Sequence, residues 1–185
     1  MKIVISGLTG SGKSTLARGL SMVLNLEYFS ASSKLREILP KKDFGVWESK
    51  KGLDVLKFRL AHPESDAKLD RYIIKNFSDK NNVVLDSWVA PWKVNGDDII
   101  KIYIKADVRT RSKRVAFRDS INFKSALAFT KKKDEITLEI YKKLYGIEVG
   151  NDYGPFDIVL DSGKLSADDL IKVSVFFIKT MLSYL

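Results

Sequence analysis

A short apolar strand, a glycine loop and a helix fill the first 25 residues, and this succession narrows the fold more than any other feature of the chain. Lys2-Ile3-Val4-Ile5-Ser6 is β-branched and apolar, as a buried strand is. Gly7-Leu8-Thr9-Gly10-Ser11-Gly12-Lys13-Ser14 has the spacing G-x-x-x-x-G-K-[ST] of a phosphate-binding loop. Thr15 to Leu24 reads as a helix with Leu16, Leu20, Val23 and Leu24 on one stripe. Glycine at 7, 10 and 12 permits backbone conformations that a Cβ would penalise, so the amides can turn inward toward an anion. The helix N-terminus adds its positive end.

This motif in this setting implies a nucleoside triphosphate held by Gly7 to Thr15. Lys13 is expected to reach the β- and γ-phosphates, and Ser14 to offer its hydroxyl to Mg²⁺.

The rest of the chain continues the alternation. Glu27-Tyr28-Phe29 reads as a strand. Ser30 caps a helix reaching Leu39, and Pro40 stops it. Residues 43–61 read as one or two short helices, and Pro63 begins another that runs to Ser78, with Leu69, Ile73 and Phe77 on its apolar face. Val83 to Asp86 and Ile99 to Ile104 read as strands. Asp107 opens an arginine-rich helix to Ser120, and 122–145 is helical and heavily charged. Asp157 to Leu160 is the last strand, and Ser166-Ala167-Asp168-Asp169 is a capping box before a final amphipathic helix.

Five apolar strands separated by helices predict a three-layer α/β fold, a doubly wound five-stranded parallel sheet. Ligands of such sheets sit outside the carboxyl ends of the strands, which lines up the Gly7 loop, Ser30, Asp86, Ala106 and Asp161 on one edge. The whole chain reads as one domain. Its core is 1–29, 80–120 and 145–185, an acceptor-binding segment covers 30–79, and a charged lid covers 121–137.

Composition closes off several classes. The 185 residues contain no cysteine and one histidine, which excludes disulfides, thiolate metal sites and histidine clusters. His62, before Pro63, reads as a surface residue. Met1 to Ser6 enters a strand directly and no apolar run approaches a membrane span, so a cytoplasmic protein is expected. The net charge of +9 is spread over scattered lysines with no interleaved aromatic series. A solvated surface that steers phosphorylated ligands is favoured over nucleic-acid binding.

Asp86 ends an apolar strand, where a carboxylate either helps organise Mg²⁺ or caps the segment that follows. Arg114 and Arg118, one helical turn apart, are either cations for phosphoryl transfer or part of a solvated helix face.

The order of features beyond the loop resembles the archaeal-type cytidylate kinases of the nucleoside-monophosphate kinases, over nearly the whole chain. Ser30-Ala31 with Arg36 resembles the family's Ser-Ala-Gly-x-x-x-Arg. Asp66, Asp70 and Arg71 after His62-Pro63-Glu64 resemble its Asp-x-x-x-Asp-Arg helix. Asp86 with Ala90 and Trp92 resembles its acidic strand end, and Ile104-Lys105-Ala106 with Arg111, Arg114 and Arg118 its arginine helix. Tyr141-Lys142-x-x-Tyr145-Gly146-Ile147 is similar to its Tyr-Lys-x-x-Tyr-Gly-Ile, and Phe156-Asp157-x-Val159-x-Asp161-Ser162 to its last strand.

The resemblance implies a monomeric P-loop kinase that transfers phosphate from ATP to CMP or dCMP. In it Lys13, Arg114 and Arg118 are catalytic, Ser30, Arg36, Asp70, Arg71 and Trp88 bind the acceptor, and Ser14 and Asp86 hold Mg²⁺. The sequence departs from the family pattern at four places. Trp88 stands where Glu-Gly-Arg has arginine, Ser32 replaces a glycine, and Lys133 and Ile140 occupy arginine positions of the lid. These departures leave open a kinase for another small acceptor, or a nucleotide-binding regulatory protein.

Overall fold

The computed structural model describes residues 1–38 and 50–183, with the side chains of 35–38 and 50–53 outside that description. The sheet has five parallel strands: β1 Lys2–Ser6, β2 Glu27–Ser30, β3 Val83–Asp86, β4 Ile99–Lys105 and β5 Ile158–Asp161. They lie in the order β2-β3-β1-β4-β5. Ser30 pairs in register with Asp86, Ile5 with Asp86, Ser6 with Tyr103, and Lys105 with Asp161. Every strand therefore delivers its carboxyl end to the same edge.

The helices are α1 Lys13–Leu24, α2 Ala31–Ile38, α3 Lys50–Ala61, α4 Pro63–Ser78, α5 Val108–Asp119, α6 Phe123–Tyr145 and α7 Ala167–Leu182. β1 is covered on both faces, so alternate residues serve different cores. Ile3 and Ile5 pack with Leu16, Leu20, Ile102, Leu170 and Ile178 under α1 and α7. Val4 packs with Leu69, Ile73, Phe77 and Leu85 under α4. Tyr103, Val115, Phe129, Ile136 and Ile140 build a third cluster under α5 and α6.

The helix starts read at Asp107 and Ser166 hold: Asp107 accepts from Arg109 N and Thr110 N, and Ser166 from Asp169 N. The structure adds a cap at Asn122, which accepts from Ser125 N. His62 sits at the α4 start with its side chain about half exposed. Val23 departs from expectation at 60% exposure. The sheet and α7 cover the side of α1 that carries Leu16, Ala17 and Leu20, so Ala17 completes the stripe and Val23 turns outward. A single turn of 3₁₀ helix at Ala90–Trp92 was not anticipated. The expected helix end at Leu39 and the start of the 43–61 helical stretch lie outside the described residues; what is described of that stretch is α3. Of the segment 121–137 expected as a lid, all but the first two residues lie in a single 23-residue helix, Phe123–Tyr145. Among the described residues, no helix is long and apolar enough to cross a membrane.

α1 and α7 touch closely at Gly19, where a Cβ would stand 2.3 Å from Ile171 Cδ1. Alanine normally favours a helix over glycine by about 1 kcal/mol. Here Gly19→Ala is expected to lower the melting temperature, and to raise it in an Ile171→Ala background; thermal melts of the four-member cycle check both signs.

Candidate active site

Three glycines shape the loop, and two meet backbone walls. Gly7 has φ +149° and a Cβ there would lie 2.2 Å from the Ile104 carbonyl oxygen; Gly10 has φ +75° and a Cβ 2.6 Å from the Arg111 oxygen. Gly12, at φ +102°, is the N-cap of α1 and gives it no side-chain cap. The first amides of that helix are left to an anion, which supplies the missing acceptor.

Two arginines, Arg111 buried and Arg114 partly buried, grip the loop from outside. Arg111 donates from Nη1 to the Thr9 oxygen at 2.9 Å and to Asp134 Oδ2 at 2.5 Å, and from Nε to the Ala106 oxygen at 3.0 Å. Asp134 accepts from Thr9 N at 3.2 Å through its other oxygen. One residue of the loop is thus held at both its N–H and its carbonyl. Arg114 donates to the Ser11 oxygen at 3.2 Å, to Ser162 Oγ at 2.8 Å and to the Ser162 oxygen at 2.6 Å, and Ser162 Oγ donates to the Ser11 oxygen at 2.6 Å. Of the two arginines expected to meet phosphate, Arg114 is therefore engaged with the loop backbone. Arg118 pairs with Asp119 and is about half exposed.

Lys13 is almost fully covered. Its ammonium donates to the Leu8 oxygen at 3.3 Å and lies 5.5 Å from the centre of the Trp88 ring. Burial lowers its pKa, with Arg111 and Arg118 adding to the effect and Asp86 and Asp134 opposing it. Ser6 Oγ fixes Trp88 by donating to its carbonyl at 2.7 Å. Ser14 Oγ donates to Asp86 Oδ2 at 2.5 Å, and Tyr28 reaches the same oxygen at 3.4 Å. The capping alternative for Asp86 falls to its neighbour, because Ser87 Oγ accepts from Ala90 N at 3.3 Å. A serine hydroxyl beside a carboxylate at a phosphate loop is the hard-oxygen set that suits Mg²⁺, which completes its shell with water and substrate phosphates.

Lys133 faces this group from α6. Its pKa is pushed down to about 7, chiefly by burial and then by Arg59, Lys13 and Arg118, with Asp134 opposing. On the far flank of the loop, between the ends of β4 and β5, opens a crevice of about 310 Å³ lined by Leu8, Tyr103, Asp107, Arg111, Tyr153 and Asp161.

Residues expected at the acceptor lie beyond Asp86. Ser30 is buried, and its Oγ accepts from Ser33 N at 3.3 Å and meets Ser32 Oγ at 3.1 Å. Arg36 belongs to α2, with its side chain outside the described residues. Asp70 is buried and accepts from the Tyr145 hydroxyl at 3.1 Å, while Arg71 points outward. Asp66 forms a buried pair with Arg59, whose Nη2 lies 2.6 Å away and whose Nε reaches both carboxylate oxygens. Arg59 also reaches Thr137 Oγ1 at 3.4 Å. Ile140 is 1% exposed in the third core cluster. It is a packing residue, and a guanidinium in its place would be buried among apolar side chains.

Arg59 and Asp134 had not been singled out. Asp134 sits in the run Lys131 to Glu135, where composition points to a solvated surface. Arg59 meets Asp66 only because the helix break at His62-Pro63 folds α3 against α4.

Comparison with known proteins decides the lineage. Residues 2–164 match the cytidylate kinase-like family. The chain belongs to that family. It is 36% identical to a cytidylate kinase of Pyrobaculum islandicum, over 98% of this chain and 95% of the relative. It is 32% identical to one of Sulfurisphaera tokodaii, over 99% and 98%. Among solved structures, an uncharacterized protein from Eubacterium ventriosum shares the fold with TM-score 0.68 and 21% identity, covering 97% of this chain and 98% of that one. Deoxyadenosine kinase from M. mycoides with bound dATP does so with TM-score 0.59 and 20% identity, covering 97% and 100%. This member of the cytidylate kinase-like family thus has a P-loop kinase fold.

Two outcomes follow from the buried charges. Asp134→Ala leaves the Arg111 guanidinium buried beside an unheld loop, and is expected to cost about 3–5 kcal/mol of stability and to weaken ATP binding; denaturant unfolding and titration calorimetry measure the two. The second concerns Lys133, which is partly deprotonated near its pKa of about 7. A bound polyphosphate raises that pKa, so ATP binding at pH 7.5 is expected to take up protons. Calorimetry in buffers of different ionisation enthalpy reads the uptake, and Lys133→Met should abolish most of it.

Proposed function

We propose that the protein transfers the γ-phosphoryl group of ATP to cytidine monophosphate or its deoxy form. The observation that carries this reading is one sheet edge, in a chain of the cytidylate kinase-like family, that brings together an uncapped phosphate loop, the Ser14–Asp86 pair and the cations Lys13, Arg118 and Lys133. ATP places its phosphates in the loop and over the α1 N-terminus, with its base toward the β4 and β5 side. The acceptor lies on the β3 and β2 side, beyond Asp86 and Trp88.

An oxygen of the acceptor's phosphate attacks the γ-phosphorus while the bridge to the β-phosphate breaks, leaving ADP. The acceptor phosphate is largely dianionic at neutral pH and needs no general base. Catalysis is positioning and charge stabilisation of the equatorial oxygens. Lys13 spans the β- and γ-phosphates, and Arg118 and Lys133 approach from the other side. Arg111 and Arg114 act one step back, by fixing the loop backbone. Ser14 and Asp86 would hold Mg²⁺, which neutralises charge on the β- and γ-phosphates when bound. The α6 segment 123–137 roofs the site and excludes water that would otherwise hydrolyse ATP.

Trp88 is the specific observation behind a second reading, a kinase for another small acceptor. Its ring faces Lys13 where the family pattern places an arginine, and an indole offers one neutral donor in place of a guanidinium fork. A coupled assay with ATP against CMP, dCMP, UMP and AMP separates the readings. CMP or dCMP is expected to be the best acceptor, and Lys13→Met is expected to lower kcat by roughly 10²–10³ with the melting temperature preserved. ATP binding without turnover of any monophosphate would instead indicate a nucleotide-binding regulatory protein.

A further inference from the structure

The crevice between the ends of β4 and β5 takes no part in the proposed transfer, and its walls hold two hydroxyls that the fold leaves unused. Tyr103 is 1% exposed and lines it, yet its hydroxyl makes no hydrogen bond among the described residues. Ser11 also lines it, and its Oγ is buried without a partner. A buried hydroxyl without a partner is destabilising, and phenylalanine would fill the Tyr103 position without that cost. Gly150 keeps the space before the Tyr103 hydroxyl clear, because a Cβ there would lie 3.2 Å from that oxygen and 3.7 Å from Leu8 Cδ1. The Tyr153 hydroxyl donates to the Gly150 oxygen at 2.7 Å, which ties this wall together, and the Tyr153 ring meets that of Tyr103 edge to face at 5.0 Å.

This crevice is separate from the groove for the triphosphate. Ile102 and Ile104 turn toward α1 and α7, whereas Tyr103, between them, turns toward α5 and α6. The phosphates of ATP run over the N-terminus of α1, on the other face of β4. Gly12 looks there toward Arg114 Nη1 and Ser162 Oγ, which lie 3.9 and 4.0 Å from a Cβ built on it. None of Lys13, Ser14, Asp86, Arg114, Arg118 and Lys133 lines the crevice.

The charges around it are already engaged. Arg111 meets Asp134, the Thr9 oxygen and the Ala106 oxygen. Asp107 takes the Arg109 and Thr110 amides and the Thr110 hydroxyl, Asp161 takes the Gly163 amide, and Lys105 is exposed. Burial and then Tyr153 hold the Tyr103 pKa above the ordinary phenol value, so its hydroxyl stays a neutral donor. The crevice thus offers two neutral hydroxyls beside a wall of Leu8, Tyr103 and Tyr153, in about 310 Å³. That is roughly ten times the volume of one water molecule.

We propose that this crevice is a second ligand site, separate from both nucleotide sites, for a neutral flat heterocycle with donors and acceptors along its edge, the chemistry of a nucleobase or an unphosphorylated nucleoside. Such a ring packs on tyrosine and exchanges hydrogen bonds with the two hydroxyls. Leu8 and Ser11 belong to the phosphate loop, so the occupant touches the loop without touching phosphate. The assignment does not depend on which acceptor the enzyme takes.

The test follows the amide NMR spectrum of the protein saturated with Mg²⁺ and the non-hydrolysable ATP analogue adenylyl imidodiphosphate, while cytosine, cytidine and adenosine are added in separate titrations. At least one of the three is expected to bind with a dissociation constant of about 0.1–1 mM, shifting the amides of Leu8, Tyr103, Gly150 and Tyr153. In Tyr103→Phe that affinity is expected to fall at least about fivefold, while the affinity for the ATP analogue stays within about twofold. Its melting temperature is expected to hold or rise, because the hydroxyl removed has no partner in the fold. Absence of shifts from all three at about 10 mM overturns the assignment. So does equal affinity in a folded Tyr103→Phe. Binding seen only without the ATP analogue, or shifts confined to the Asp86 and Trp88 side, puts the probe in a nucleotide site and overturns it too.

Discussion

Thr9 is held at both ends by one buried ion pair, and the site is organised around that grip. Asp134 takes its N–H and Arg111 its carbonyl, and the two side chains meet each other. A phosphate loop works by aiming backbone amides at an anion, which it can do cheaply only if the amides are aimed beforehand. The Ile104 and Arg111 carbonyls press on Gly7 and Gly10 from below, and Arg114 with Ser162 ties Ser11 at the side. Four elements thus converge on eight residues that have little core of their own.

The same grip sets the position of α6. Asp134 anchors that helix at the loop, which brings Lys133 within electrostatic reach of Lys13, Thr137 beside Arg59, and Tyr145 to Asp70 at the far end. One helix therefore spans the proposed donor and acceptor sides. Phosphate charge has cations waiting for it, and the low pKa of Lys133 is the electrostatic cost of gathering them before the anion arrives.

The strands, the helix starts and the phosphate loop were legible in the sequence because each is a local pattern. Val83 to Asp86 reads as a buried strand from four residues, and Asp107 and Ser166 mark helix starts by their own hydrogen bonds. What could not be read depends on contacts between distant segments. Arg59 and Asp66 pair across a proline break, Asp134 is hidden in a run of charge, and Arg114 turns to Ser162, 48 residues on. The same holds for Ile140. The resemblance sets it at an arginine position of the lid, but it belongs to the buried apolar cluster that includes Leu56 and Tyr141. The family comparison fixes the lineage, and the arrangement of side chains decides which of its expected residues face the ligands.

The central claim is that a preformed loop joins two nucleotides end to end, ATP on the β4 side and a cytidine nucleotide on the β3 side. A crystal structure with adenosine and cytidine linked through five phosphates tests it most directly. The expected result has the phosphates crossing Lys13 and Lys133, the cytosine on the Trp88 and Tyr141 side, and the backbone of residues 7–14 unmoved with both arginine grips intact. A cytidine half that lies elsewhere or is disordered, or a loop that rebuilds itself around the phosphates, would contradict the claim.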